Sequence, residues 1–297
     1  MINLRRISSS QTKPTDGGSA FTLTELMVVI GVVVLLAATL LPALAQSKMK
    51  SQAVVCLSHM RQLQRAALLY ASDNNDFCPV NSALSPVNGG DSTTGRPCWV
   101  DGTFSSPAAG DNPAGCSINP FYLGVVGIQG TGTGFRGNGG PIGLTLIGSI
   151  GPYVRSAAAY RCPADHFIDP TYRVLRVRSY SANMEVGHGA GYLPLAGYKA
   201  FEKYTDFGSP LAPSQCFEFL DENPVSLTDG YFAYYQDGSR INDQPAANHD
   251  LATSFSFADG HSALHIWRDV FLKYQSNLNQ NGLDTMWLAQ HGTYRIQ

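Results

Sequence analysis

Charge is scarce in this chain of 297 residues: Asp, Glu, Lys and Arg make up 14% of it, well below the usual quarter of a soluble protein. Neither sign dominates, since 20 Lys and Arg stand against 22 Asp and Glu. A net charge of −2 excludes a general nucleic-acid binder living off phosphate contacts, and also a polybasic membrane-surface protein. The six cysteines include no C-x-x-C pair, which removes the zinc-ribbon and thioredoxin signatures. No G-x-S-x-G elbow marks a hydrolase, although Ser, His and Asp letters are plentiful. Long hydrophobic runs are absent too, with one exception near the N-terminus. What the chain does have is 44% hydrophobic residues, 14 Phe, 14 Tyr, 30 Gly and 17 Pro. That composition excludes intrinsic disorder and predicts a loop-rich, strand-rich body.

The exception runs from Leu26 to Ala45, twenty residues without a charge. At 1.5 Å per residue a helix over them spans about 30 Å, the thickness of a bilayer core. The chain therefore has at most one membrane segment. Arg5, Arg6 and Lys13 outweigh Asp16 ahead of it, which favours a cytoplasmic N-terminus, with Lys48 and Lys50 on the far side voting the other way. Glu25 stands at the edge of the apolar run. An unpaired carboxylate there asks for a partner, and the α-amino group of a new N-terminus at Phe21 would supply one. The plainer alternative is that Glu25 marks where the apolar segment begins.

The stretch Gly17-Gly-Ser-Ala20-Phe21-Thr-Leu-Thr-Glu25-Leu-Met-Val-Val-Ile30 resembles the processing site of type IV prepilins and type II secretion pseudopilins. The resemblance implies a leader, residues 1–20, cut by a prepilin peptidase between Ala20 and Phe21, followed by methylation of the new N-terminus. It makes Glu25 an assembly residue, and it matches Pro42 to the family's helix-kinking proline. Where the family has Gly before the cut, this chain has Ala20. A rival reading exists: the basic start, apolar core and Ala43-Leu44-Ala45 also fit a secretory signal cut before Gln46, leaving a secreted domain.

Beyond Pro42, Cys56, Met60, Leu63, Ala67 and Tyr70 fall at helical spacing among Arg61, Gln64 and Arg65, and Asn74-Asn75-Asp76 supplies the stop. One helix over residues 21–75 is predicted, about 80 Å long, crossing the membrane at 26–45 and amphipathic thereafter. Residues 76–297 form the globular domain. Within it a Gly-rich stretch, about 102–147, reads as an insertion, and short strands are expected around Cys98-Trp99-Val100 and Phe121-Tyr122-Leu123. Gly132-Thr-Gly134-Phe-Arg-Gly137 satisfies G-x-G-x-x-G but is followed by Asn138-Gly-Gly-Pro141, so it reads as a loop and not a dinucleotide site. Ser214–Leu220 alternates like a strand, and Thr253–Phe257 with Leu264–Ile266 around Asp259-Gly260 reads as a hairpin. The order of elements gives an α+β fold: a long transmembrane helix, the stalk, packed on a mostly antiparallel C-terminal sheet.

Three constellations invite chemistry. His249 precedes Asp259-Gly260 by ten positions, an H-x9-D-G motif, with His261 and His265 close by. They suit a divalent metal in residue type, but on a strand His261 and His265 stand about 13 Å apart, so the motif reads as structural. Asp221, Glu222 and Asp229 make an acid cluster able to hold calcium, although they lack D-x-D-x-D-G spacing and a solvated loop is the default. Patches at Cys56–Leu63, Tyr70–Asn74, Tyr160–Asp165, Arg178–Ser181, Leu220–Glu222 and Phe257–His261 resemble bacterial prepilin-type proteins with this C-terminal motif. In a periplasmic body the thiols would oxidise, and Cys56 with Cys162 is the first pairing to expect; the alternative is free buried thiols.

The expectation is therefore a non-enzymatic subunit of a secretion or pilus-like fibre, with no cofactor apart from that calcium. It sits in the inner membrane with a periplasmic body, its partners being the prepilin peptidase and other pilin-like subunits, and no nucleic acid. The alternative is a tethered or secreted module binding a metal or a glycan.

Overall fold

The computed structural model describes residues 21–81, 96–100, 123, 149–189, 197–269 and 282–296. The leader with Ala20, the Gly132–Gly137 motif, Phe121, Tyr122 and all of the Gly-rich insertion but Leu123 lie outside them. The chain divides into two units, Met1–Ser47 and Lys48–Gln297.

Helix α1, Leu23–Asp73, belongs to both. It stays helical through Pro42, which leaves one carbonyl of the preceding turn without its usual N–H partner. Residues 26–45 are all exposed, and α1 is the one helix among the described residues long and apolar enough to cross a membrane.

Within the second unit α1 becomes one-sided. Ala53, Cys56, Met60, Leu63, Ala67 and Tyr70 are buried, a three-four spacing that keeps them on one stripe. Each large apolar member contributes roughly 1.5–3 kcal/mol by leaving water. The helix ends where Asn75 and Asp76 adopt left-handed backbone, φ 55° and 68°, with the Asp76 N–H returning to the Ala71 carbonyl at 2.9 Å. Asn and Asp tolerate that conformation better than most residues.

The stripe packs on a five-stranded sheet in the order β3-β1-β2-β4-β5. The strands are β1 Tyr180–Asn183, β2 Phe217–Asp221, β3 Tyr231–Phe232, β4 Ala252–Phe257 and β5 Ser262–Ile266. All pairs are antiparallel except β1 with β3. In β2 a register shift between Phe217 and Phe219 turns two successive residues, Glu218 and Phe219, towards α1. Phe217 and Leu220 go to the opposite face, where they join Phe255, Tyr234, Trp267 and Leu288 of a second helix on that side. That helix spans Leu283–Gly292 and is called α3; the short α2, Gly151–Val154, flanks the first core. Strand β4 alternates strictly: Phe255 and Phe257 fill the α3 side, while Ser254 and Ser256 lie buried beneath α1. The fold is α+β, a long helix followed by a mixed sheet.

Candidate functional site

The apolar segment begins with a closed cap. Thr22 N–H and Thr22 Oγ1 both donate to Glu25 Oε2, at 2.9 and 2.8 Å, and the Glu25 N–H donates back to Thr22 Oγ1 at 3.2 Å. This is a capping box, Thr-x-x-Glu, satisfying two helix-end donors reciprocally. The partner that the sequence reading sought for Glu25 is thus supplied first from within its own turn. Phe21 beside it is exposed, as is Pro42 one apolar segment later.

A second site lies under α1. Four elements converge on it: Cys56 from α1, Cys162 from the turn after the 3-10 helix Ala157–Tyr160, Asp221 from the end of β2, and His249 from the loop entering β4. One ligand-type atom from each lies within 4.8 Å of every other, and all four residues are buried. His249 Nε2 is 3.2 Å from Cys162 Sγ. Cys56 Sγ lies 3.2 Å from the Tyr180 hydroxyl and 2.9 Å from Ser254 Oγ. Asn248 donates to Asp221 Oδ2 at 3.3 Å, while the Cys162 N–H is held by Ser179 Oγ at 2.6 Å.

The electrostatics are unusual for a buried corner. Burial pushes the Cys56 thiol up, but contacts from Cys162, His249, Ser254 and Tyr180 outweigh it and hold the group well below the usual thiol range. Cys162 moves the other way, its proton retained by the bond to Cys56 and then by burial. Burial, and after it the Cys56 sulfur, push Asp221 well above the usual carboxylate range. Asp221 Oδ1 and His249 Nδ1 are buried with no hydrogen-bond partner among the described residues, a state that costs about 1–3 kcal/mol for each such group.

No family model, curated protein or solved structure matches this chain.

The geometry redistributes the expected groups. Of the H-x9-D-G motif, His249 sits in the thiol cluster, whereas Asp259 and Gly260 form the turn at the opposite end of β4. Gly260 has φ 99°, and Asp259 Oδ1 accepts the His261 N–H at 3.0 Å. His261 also meets Asp259 through its ring at 2.6 Å, while His265 stacks on Trp287 at 3.8 Å and faces Asp284. The three histidines therefore reach three different places. The acids after β2 are not a solvated loop: Asp221 and Glu222 are fully buried, because β2 runs on through Asp221 and Glu222 then bridges Pro245. Glu222 takes the Ser181 hydroxyl, and burial followed by Asp243 holds it well above the carboxylate range. Asp229, which accepts the Tyr231 N–H at 3.1 Å, is raised by the same two causes to about 8. Asp221 is thus turned to the thiols, and Glu222 and Asp229 share the neighbourhood of Asp243. Cys56 and Cys162 are brought together as free thiols; Cys78 and Cys216 are free and buried as well, and Cys98 is buried. Sequence reasoning paired the two cysteines but missed their joining to Asp221 and His249.

Proposed function

We propose that the chain is a pseudopilin or minor-pilin-like subunit, cut before Phe21 by a prepilin peptidase and built into a type II secretion or type IV pilus-like fibre. Residues 26–45 hold it in the inner membrane before assembly, with the leader cytoplasmic and the body periplasmic. The observation that carries this reading is the head of α1: twenty exposed, uncharged residues preceded at once by a carboxylate. An apolar surface of that extent requires lipid or other copies to cover it. A carboxylate at its edge opposes burial unless a cation meets it. Both Thr22 bonds fall on Glu25 Oε2, which leaves Oε1 to receive the amino group of a neighbouring subunit's Phe21. The subunit works by assembly and carries no catalytic step.

The capping box makes the test sharper than alanine alone. Glu25→Gln keeps a side chain able to close the box but removes the charge. With peptidase and assembly machinery present, both Glu25→Gln and Glu25→Ala should be cleaved fully yet give no cross-linked ladder of subunits. Assembly of Glu25→Gln at the wild-type level would remove the charge-pairing mechanism.

A further inference from the structure

We infer that Cys56, Cys162, Asp221 and His249 form a structural zinc site that clasps α1 to the sheet. The four ligand atoms already lie within 4.8 Å of one another. In a tetrahedral zinc site, with Zn–S near 2.3 Å and Zn–N near 2.0 Å, they stand roughly 3.3–3.8 Å apart. Cys162 Sγ and His249 Nε2, at 3.2 Å, are already at that spacing. The remaining contraction is about an ångström, within the reach of side-chain rotation.

The donor chemistry selects the ion. Two sulfurs, an imidazole and a carboxylate suit zinc, and they disfavour calcium and magnesium, which take hard oxygen ligands. Four protein ligands fill a tetrahedron and leave no position for water or substrate, the arrangement of a structural centre. An orphaned atom supports the same conclusion. Asp221 Oδ1 belongs to a side chain 0% exposed and has no hydrogen-bond partner among the described residues, so the corner is built for more than its protein contacts. Tyr180 and Ser254 point hydroxyls at Cys56 Sγ, and Asn248 holds the second carboxylate oxygen, the kind of outer support that fixes ligands about a metal.

The clasp has a mechanical meaning. Cys56 lies one turn before Met60 on the buried stripe of α1, so an ion there ties the helix to β2 and to the loops before β1 and β4. Zinc binding displaces the thiol protons and protects both sulfurs from forming a disulfide. This inference is independent of fibre assembly and stands or falls on metal content.

The full chain, purified in detergent and loaded with zinc, should carry about one tightly held zinc per molecule. Cobalt loaded in its place should give the thiolate-to-metal absorption and strong visible bands of a tetrahedral sulfur site. Cys162→Ser and His249→Ala should each weaken zinc binding by about tenfold or more. Because either variant can fail to fold, the unaltered chain provides the second measurement: a strong chelator should lower its thermal midpoint, and zinc should restore it. Absence of bound zinc, a cobalt spectrum without thiolate bands, or a Cys56–Cys162 disulfide in non-reduced peptide maps of the purified chain would each overturn the site.

Discussion

Glu218 is one of the buried carboxylates through which pH acts on the fold. It is fully buried between α1 and the sheet, accepts Gln64 Nε2 at 2.5 Å and the Tyr204 hydroxyl at 2.8 Å, and burial outweighs both bonds to raise its pKa from 4.5 to about 7. The unfolded chain releases this proton near 4.5 and the folded chain near 7, so between those values the folded state binds more protons and stability falls as pH rises. Below 4.5 both states hold the proton and the whole contribution is present; above 7 it is lost. The shift corresponds to roughly 3 kcal/mol. Thermal melts of the full chain in detergent at pH 5 and pH 8 should show Glu218→Gln with a flatter pH dependence than the parent. An unchanged slope would mean that Glu218 is ionised in the folded body. At this scale the sequence was partly legible. Thr22-Leu-Thr-Glu25 spells a capping box in four letters, although the sequence reading treats Glu25 as unpaired or as a marker of where the apolar segment begins. The burial of Asp221 and the association of His249 with Cys162 were not legible. Those depend on β2 extending one residue further, and on contacts such as the 87 positions separating Cys162 from His249, which no local spacing encodes.

Among the elements, α1 carries the clearest message. Its stripe of Cys56, Met60, Leu63, Ala67 and Tyr70 was readable because a packed helix face leaves a period of 3.6, and all five are buried. The Asp259-Gly260 hairpin was readable from alternation and turn chemistry, and β4 and β5 pair in register from Ala252–Ile266 to Ser256–Ser262. The bulge in β2 was hidden, since Phe217-Glu-Phe219 alternates on paper and the two apolar residues Phe219-Leu220 read as the end of a strand. Its cause lies in tertiary packing, with Phe219 joining the core under α1 beside Glu218. The helix–sheet joint should respond strongly to cavities. Leu63→Ala, at a fully buried position, should destabilise the body by about 2–5 kcal/mol, whereas Leu69→Ala, exposed on the other side of the helix, should change it by less than about 0.5 kcal/mol. Denaturant melts of the two variants side by side check this, and equal losses would mean that α1 does not dock along that stripe.

For the whole molecule, the α+β class followed from element order, one very long helix and then strands. Its lengths explain why the class was visible: 51 residues of helix exceed what a body of this size can bury, so the first part must present its apolar surface elsewhere. What covers that surface is decided at the processing site. Expressed in a bacterium with a prepilin peptidase, the membrane fraction should yield a chain that begins at Phe21 with one added methyl group, by intact mass and N-terminal peptide sequencing. A chain beginning at Gln46 and recovered in the soluble fraction, or one that keeps Met1 in the membrane, would contradict the proposal that this protein is a processed fibre subunit.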